Sequence, residues 1–336
     1  MSIPTSSPAR LPARILGHSG IEVTSLAFGA MMFGRWGNTD VHECHRMVHR
    51  ALDAGITLFD TADMYDDGAS ETILGEALRG HRDEVVLATK VGNPMGGDLQ
   101  RAGLSRRWIN QACDDSLRRL QVDHIDLYQM HRPDAATPID ETLAALDDLV
   151  TAGKVRALGT STFSPAQIDD VQARAAALGV ARPTCEQPPY SALARGIEAE
   201  VLPACRRHDL GVIVWAPLNG GWLTGKYQSA LADTDSRALR QPDHFDHGQE
   251  TIRVQKHGMV DRLATIAAAA GMTLKQLALA FVLDDPTITS AIIGPRTLQQ
   301  LDELVTLGPL VLPPGVRRSI DEVVAPGRNV NPADAG

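Results

Sequence analysis

The sequence predicts an α/β fold, namely a (β/α)8 TIM barrel with long loops at the C-terminal face. Eight strand-like segments alternate with amphipathic helical segments almost without exception along the chain. Three of the strand-like segments end at an ionisable residue, namely Asp60, Lys90 or His131. In a barrel of parallel strands the carboxyl ends meet at one face, where the loops carry the chemistry. The alternation and the polar strand ends therefore indicate one barrel with one site.

The predicted strands are apolar runs of the kind found in buried parallel sheets. They cover residues 23–29, 57–62, 84–91, 124–131, 155–161, 183–188, 211–217 and 288–293. The predicted helices lie near residues 40–54, 70–80, 105–121, 138–152, 165–178, 197–209, 251–270 and 297–307, with a further helix over 273–283. The alternative, an open doubly wound sheet, predicts a GxGxxG motif after the first strand. The chain has LAFGAMMFG there, which favours the barrel.

The organisation of the chain predicts a single domain over residues 1–336. Residues 1–22 are expected to combine a flexible start with a hairpin that turns at HSG and closes the barrel bottom. Residues 325–336 are turn-rich and are expected to form an irregular tail on the surface. Two loops, 92–104 and 218–250, exceed the usual length. Both follow strands at the C-terminal face, so both are expected to shape a pocket.

Composition narrows the class of protein. Hydrophobic residues make up 43% of the 336 and charged residues 22%, which is ordinary for a globular protein. The net charge of −9 is dispersed without a basic stripe, which argues against nucleic acid or an anionic membrane as the main partner. The four cysteines are widely spaced and form no CxxC pair, so no disulfide framework is expected. The start, MSIPTSSPARLPAR, lacks the apolar core of a secretory signal, so a cytoplasmic location is expected.

Asp60, Tyr65, Lys90 and His131 form the candidate catalytic group. Taken singly, Asp60 could be a helix cap, Lys90 a surface charge and His131 a core histidine. Tyr65 follows Asp60 closely enough to fold back over the same mouth. A free phenol, with a pKa of about 10, is a poor acid at neutral pH. An adjacent ammonium lowers that pKa, and a carboxylate keeps the lysine charged and in place, so the group predicts a proton donor.

Six motifs follow one another along the chain, namely FDTADMYDDGASETILGEAL, LATKVG, SLRRLQVDHIDLYQMHRPD, LVTAGKVRALGTSTF, WAPLNGGWLTGKY and IIGPRTLQQLDE. With these motifs the chain resembles the aldo-keto reductases, and more closely the branch that includes the potassium-channel β subunits. The resemblance implies an NADPH-dependent enzyme that reduces an aldehyde or ketone to an alcohol, or runs the reverse reaction. It makes Tyr65 the general acid, Lys90 the group that lowers its pKa, Asp60 the partner of Lys90, and His131 the residue that orients the carbonyl.

The resemblance also implies the cofactor-binding positions. They are Ala30, Met31, Asp60, Ser161, Thr162, Gln187 and Trp215 around the nicotinamide, Pro217, Leu218, Lys226 and Arg237 near the pyrophosphate, and Gly294, Arg296, Gln300 and Glu303 towards the adenosine. Barrels frequently bind phosphate with the loops after strands seven and eight. That rule independently selects Lys226, Gly294 and Arg296, and an arginine suits a 2′-phosphate.

The chain departs from the family pattern at two positions. Thr162 stands where many members have asparagine beside the serine, and Leu304 stands where asparagine often binds the adenine. Three aromatic residues, Phe33, Trp36 and Trp222, are candidate apolar walls of a substrate pocket or, equally, core residues.

Two functions of other classes compete with the reductase. The first is a cofactor-binding regulatory or scaffold subunit with residual activity. The channel β subunits carry asparagine at the position of His131, so this histidine favours an active reductase. The second is a metal-dependent barrel hydrolase, for which His244 and His247 are the candidate ligands. No carboxylate–histidine set at ligand spacing accompanies them, so no metal is predicted.

Overall fold

The structure, a computed structural model, describes residues 11–228 and 249–335. Two strands, β1 (Ala13–Ile15) and β2 (Glu22–Thr24), form a hairpin. The barrel strands are β3 (Leu26–Gly29), β4 (Leu58–Asp60), β5 (Val86–Val91), β6 (Ile125–Met130), β7 (Val155–Thr160), β8 (Pro183–Glu186), β9 (Gly211–Val214) and β10 (Ile288–Ile293). Each pairs in parallel with its neighbours, and β10 pairs with β3, so eight strands close a barrel. The predicted (β/α)8 fold is confirmed.

The helices surround the barrel. They are α1 (Val41–Asp53), α2 (Ala69–Ala77), α3 (Arg106–Leu120), α4 (Ile139–Thr151), α5 (Pro165–Leu178), α6 (Val201–Arg207), α7 (Glu250–Ala269), α8 (Leu274–Asp284), α9 (Leu298–Val305) and α10 (Val316–Asp321). Local sequence fixes several of their starts. In α5 the side chain of Ser164 accepts the Gln167 N–H, the Gln167 side chain bonds back, and Pro165 occupies the first turn. The short helix α10 has no counterpart among the predicted elements.

The hairpin lies against the bottom of the barrel, where the His18 N–H donates to Asp209 O. Leu16, between its two strands, is fully buried and joins the apolar residues inside the barrel. The prediction of a single strand over residues 23–29 is wrong. The chain leaves the hairpin after Thr24 and enters the barrel at Leu26, so this segment forms two strands. At this break the Ser25 N–H donates to Pro12 O and Thr24 Oγ1 donates to Leu26 O.

The barrel interior is filled by small and branched apolar side chains. They include Ala27, Leu58, Ala88, Leu127, Ala157, Cys185, Ile213 and Ile292. A second, larger core lies between the strands and the helices, where alternate strand residues meet the apolar faces of the helices. Because the lower interior is apolar and filled, the polar residues at the carboxyl ends of the strands lie together at the top.

The tail is irregular, but it is not confined to the surface as the sequence analysis expected. The Val330 N–H donates to Leu193 O, and Asn329 Oδ1 accepts the Gly196 N–H at 2.6 Å. Asn331 is buried, and Asp334 pairs with the buried Lys256. These long-range polar contacts carry no local sequence signal, which explains why the composition of the tail was misleading.

Within the described residues, no single helix is both long and apolar enough to cross a membrane. The helices α7 and α8 pass the length and composition criteria only as a pair, and they meet at a bend of 91°.

Gly75 allows α2 to pack closely on α3, and its replacement tests this contact. A Cβ at Gly75 would lie 2.3 Å from Leu120 O, inside any allowed contact distance. Helix propensity alone favours alanine over glycine by up to about 1 kcal/mol. The overlap with a backbone atom forces the helices apart, which typically costs about 1–3 kcal/mol. We therefore expect Gly75→Ala to lower the free energy of unfolding.

Gly258 provides the matched control in chemical denaturation. It also lies inside a helix, α7, but a Cβ there would meet no atom within 4 Å. Gly258→Ala should therefore stabilise the protein or leave it unchanged. If both variants respond in the same direction, close packing at Gly75 is not a constraint on the fold.

Candidate active site

Four predicted catalytic side chains converge at the carboxyl ends of consecutive strands. Asp60 is the last residue of β4, Lys90 lies near the end of β5, and His131 directly follows β6. Tyr65 opens a short 3-10 turn, Tyr65–Gly68, that returns over the strand ends. The strands β4, β5 and β6 are parallel neighbours. Side chains at their carboxyl ends therefore lie close together, although they are far apart in the chain.

Lys90 is at the centre of this group. Its Nζ donates to Asp60 Oδ1 at 2.6 Å, to Thr61 O at 2.8 Å and to Tyr65 OH at 3.4 Å. Lys90 is 1% exposed and Asp60 4%, so water screens this ion pair very little. All three ammonium protons have an acceptor, and one of these acceptors is the phenol. The ammonium is therefore held in direct contact with the candidate acid.

Two amides complete the environment of Asp60. Gln187 Nε2 donates to Asp60 Oδ2 at 2.9 Å, and Gln129 Nε2 donates to the same atom at 3.3 Å. Gln187 also donates to Gln129 Oε1 at 3.1 Å. Sequence reasoning missed Gln129, although an amide within the apolar strand DLYQM was a usable signal. The structure thus directs the Gln187 amide group towards the carboxylate.

Burial and charge act in opposite directions on the pKa values of Lys90 and Tyr65. Burial alone would lower the pKa of Lys90, but the Asp60 carboxylate and the Tyr65 oxygen outweigh it and raise this pKa. Burial raises the pKa of Tyr65, while Lys90 lowers it by charge and by its hydrogen bond, and burial prevails. Lys90 therefore lowers the pKa of Tyr65, as predicted. The net change in this pKa is nevertheless upward, because burial also removes the phenol from water.

His131 is held neutral next to Tyr65. Burial, followed by the charges of Lys90 and Arg132, keeps the pKa of His131 well below its ordinary value. Its ring meets the Tyr65 ring edge-on, with centroids 5.7 Å apart and an interplanar angle of 82°. Within the described residues its buried Nδ1 has no hydrogen-bond partner. A neutral imidazole offers one donor and one acceptor nitrogen, which suits contact with a carbonyl oxygen.

Residues predicted to contact a nicotinamide lie around the same mouth. Ala30 follows β3, is buried, and donates its N–H to Asp60 O at 2.8 Å, and Met31 beside it is half-buried. Ser161 Oγ donates to Gln187 O at 2.8 Å. Trp215 lies directly after β9 and is half-buried. At this position the sequence predicts that its indole stacks on the nicotinamide ring.

Thr162 has a strained backbone, with φ at 59°. A β-branched residue is a rare occupant of the left-handed region, and such strain persists only where surrounding contacts enforce it. The buried Glu186 supplies such contacts, since Thr160 Oγ1 donates to one carboxylate oxygen and the Phe163 N–H to the other, at 3.1 Å. Sequence reasoning missed Glu186, although a charge inside the predicted strand 183–188 was visible.

The remaining predicted cofactor positions follow the last two barrel strands. Pro217, Leu218 and Lys226 come after β9, and Gly294 and Arg296 come after β10. The Arg296 N–H donates to Gln300 Oε1 at 2.8 Å, while Glu303, further along α9, pairs with Lys275. Arg237 lies outside the described residues.

The three candidate apolar walls separate into two core residues and one surface residue. Phe33 is fully buried and packs on Phe28, with centroids 5.6 Å apart, and Trp222 is buried against Tyr227 at 5.2 Å. Trp36 is 37% exposed, and its ring lies 5.9 Å from that of Tyr65. Only Trp36 of the three is therefore placed to contact a molecule at the mouth.

In the part of the chain that the structure describes, no group of three or more histidine, cysteine or acidic side chains could hold a metal ion. His244 and His247 lie outside that part.

Comparisons with known proteins agree with this fold. The family model of the aldo/keto reductases matches residues 25–325, so the chain belongs to the aldo/keto reductase family. Among its relatives is the uncharacterized oxidoreductase YrpG of Bacillus subtilis, 38% identical over 92% of this chain and 94% of the relative. A probable voltage-gated potassium channel subunit beta of Arabidopsis thaliana is 37% identical over 92% and 95%. The aldo-keto reductase YhdN of Bacillus subtilis is 34% identical over 86% of each chain.

Glu186 gives the stability of the fold a pH dependence that can be measured. Burial raises the pKa of Glu186 from 4.5 to about 7, although Thr160, Phe163 and Thr162 oppose the shift with hydrogen bonds. The folded state then binds a proton that the unfolded state has released, so stability falls as pH rises from about 4.5 to 7. Each pKa unit corresponds to about 1.4 kcal/mol, so the full effect of a rise from 4.5 to about 7 is roughly 3 kcal/mol.

Urea unfolding of wild type and Glu186→Gln at pH 5 and pH 8 measures this effect. Glu186→Gln should lower the free energy of unfolding less at pH 8 than at pH 5. Ionisation of Glu186 destabilises the wild type between these two pH values, whereas the neutral amide does not ionise. Glu22→Gln, at an exposed position of β2, is the control for loss of a carboxylate and should show no such difference. A Glu186→Gln effect that is equal at both pH values would show that Glu186 does not titrate in this range.

Proposed function

We propose that this protein is an NADPH-dependent carbonyl reductase, which reduces an aldehyde or ketone to an alcohol or runs the reverse reaction. Its membership of an oxidoreductase family supports the class of reaction. One observation carries the finer proposal, namely that Lys90 Nζ contacts both the Asp60 carboxylate and the Tyr65 hydroxyl. Such a contact couples a fixed positive charge to a proton donor at the mouth of the barrel.

The described residues fit a dinucleotide with a phosphate on its ribose. Lys226 and Arg296 place two cations after the last two strands, where barrels commonly bind phosphate. We assign the half-buried indole of Trp215 and the strained turn at Thr162 to the nicotinamide side. The cofactor, when bound, supplies the hydride that the carbonyl carbon receives.

The side chains of the protein supply the proton and determine when it is transferred. The upward net shift of its pKa keeps Tyr65 protonated at neutral pH, ready to donate to the carbonyl oxygen. As the proton leaves, Lys90 stabilises the phenolate across the 3.4 Å contact. The neutral His131, beside Tyr65, orients the carbonyl oxygen towards the hydroxyl. Asp60 holds Lys90 in place and does not contact the substrate.

A regulatory subunit with residual activity is the second candidate. The relative in Arabidopsis thaliana, named as a probable potassium channel subunit beta, favours it. A panel of aldehydes, ketones and sugars, assayed with NADPH and with NADH, separates the two functions. Turnover of at least one carbonyl at rates typical of enzymes, about 1 per second or more, supports the reductase. Slow turnover of every carbonyl despite tight cofactor binding supports the regulatory subunit.

Tyr65→Phe tests the proposed acid by removing one oxygen and keeping the ring. A positioned acid typically contributes about 10²–10⁴-fold to the rate. We expect carbonyl reduction to fall by that factor in single-turnover assays, while cofactor affinity measured by fluorescence titration stays nearly unchanged. Trp36→Phe, next to Tyr65 but without an acidic proton, is the control for disturbance of the mouth. Retention of more than about a tenth of the wild-type chemical rate would assign the proton to another group.

Arg296→Ala tests the proposed preference for NADPH. A charge-assisted bond to phosphate is worth roughly 1.5–3 kcal/mol, so NADPH affinity should fall on the order of 10–100-fold. NADH affinity should barely change, because NADH lacks the 2′-phosphate. Fluorescence titration of both cofactors against wild type and variant measures the difference. Equal losses for the two cofactors would place Arg296 at the pyrophosphate or in the fold instead.

A further inference from the structure

Two consecutive aspartates, Asp66 and Asp67, follow the proposed acid Tyr65 in a strained backbone conformation. Their φ angles are 47° and 55°, in the left-handed region that residues with a Cβ rarely adopt. Both lie inside the short turn Tyr65–Gly68. Strain of this kind persists only where surrounding contacts enforce it, and it is frequent at functional sites. The contacts of the two carboxylates therefore identify what holds this turn in place.

The Asp66 carboxylate binds the loop that follows β3. The side chain of Asp66 is only 4% exposed. Its Oδ2 accepts the backbone N–H of Arg35 at 2.8 Å, and its Oδ1 accepts Nε–H of the same residue at 2.7 Å. The loop approaches this carboxylate so closely that a Cβ at Gly34 would lie 2.3 Å from Oδ2. Asp66 thus uses both oxygens to hold one residue of the loop.

Trp36, the next residue in this loop, lies between the contact with the aspartate and a second anchor. At the second anchor Asn38 Nδ2 donates to Arg296 O at 2.9 Å and to Glu43 Oε2 at 3.0 Å. Between the two anchors, Trp36 is 37% exposed and its ring lies 5.9 Å from the Tyr65 ring. An exposed aromatic surface is therefore held beside the proposed acid by a contact from the residue that directly follows this acid.

We propose that Asp66 is a positioning residue for the carbonyl substrate. By binding Arg35 it fixes Trp36 beside Tyr65, so that the indole contacts an apolar or aromatic group next to the carbonyl. This inference rests on the proposed reductase function. It predicts that an aromatic aldehyde binds better than a small aliphatic one, because only the aromatic aldehyde carries a ring for the indole to contact.

Asp67 offers a matched comparison. It has a similar left-handed backbone, but its carboxylate faces the other mouth loop, 92–104, where Arg101 Nη1 lies 3.9 Å from Oδ1. The side chain of Arg101 is 41% exposed and that of Asp67 44%, and an ion pair in solvent contributes little. Glycine adopts a positive φ without steric cost. Asp66→Gly and Asp67→Gly therefore relieve a similar strain, but only Asp66→Gly releases Arg35.

The test measures kcat and KM for the reduction of 4-nitrobenzaldehyde and of propanal at saturating NADPH. Asp66→Gly should raise the KM for 4-nitrobenzaldehyde about 3–10-fold, as expected for the loss of one aromatic contact. Its kcat should barely change, because the contact serves binding and not the chemical step. The KM for propanal should also barely change. Asp67→Gly should leave both KM values at the wild-type level.

Two further variants show whether Asp66 acts through the indole. Trp36→Ala alone should raise the KM for 4-nitrobenzaldehyde by a factor similar to that of Asp66→Gly. Addition of Asp66→Gly to Trp36→Ala should then have no further effect, because no indole remains to be positioned. Asp66→Asn keeps an acceptor for the Arg35 N–H and tolerates the left-handed backbone, so it should retain most of the wild-type affinity. Partial unfolding would lower kcat for both aldehydes alike and would not change the ratio of their KM values.

Three results would overturn the inference. An unchanged ratio of the two KM values in Asp66→Gly would remove any role of Asp66 in substrate choice. An equal effect of Asp67→Gly would assign the change to the backbone of the turn. A further loss on adding Asp66→Gly to Trp36→Ala would show that Asp66 acts independently of the indole. Wild-type protein that reduces neither aldehyde with NADPH would instead contradict the proposed function itself.

Discussion

The buried ion pair between Lys90 and Asp60 is the interaction on which the rest of the site depends. Removal of two charges from water costs several kcal/mol per ion, and the attraction offsets this only where every remaining polar atom is satisfied. Here Lys90 also donates to Thr61 O, and Asp60 Oδ2 accepts from Gln187 and Gln129. The pair therefore requires contacts from strands β4, β5, β6 and the end of β8, and it ties half of the barrel into one polar layer.

The same pair determines what Tyr65 can do. If Lys90 moved away from Asp60, it would leave a buried charge without its partner. Its ammonium therefore stays within 3.4 Å of the phenol. Burial raises the pKa of Tyr65 and keeps its proton until an acceptor arrives, while Lys90 stabilises the anion that remains. His131 stays neutral for the related reason that burial and nearby cations disfavour a further charge. The proposed acid catalysis thus follows from one arrangement of charges in a buried site.

The fold was predictable because strands of a barrel are apolar throughout and end in polar residues, a pattern that is local in sequence. The convergence of the candidate catalytic residues followed from parallel strand order for the same reason. The partners of buried polar groups were not predictable, since Gln129 and Glu186 act across elements that are separated in the chain. The burial of Phe33 and Trp222 also depended on side-chain direction in loops, which no periodicity fixes.

The pH dependence of hydride transfer in wild type and Lys90→Met tests the central role of the ion pair most directly. Single-turnover mixing of the NADPH complex with 4-nitrobenzaldehyde, followed by loss of cofactor absorbance, isolates the chemical step. Without the ammonium the phenol loses the charge that lowers its pKa, so the ionisation of Tyr65 should move to higher pH and the rate should fall. Lys90→Arg, which keeps a positive charge, should shift the profile less. An unchanged rate and pH profile in a folded Lys90→Met variant would contradict the account.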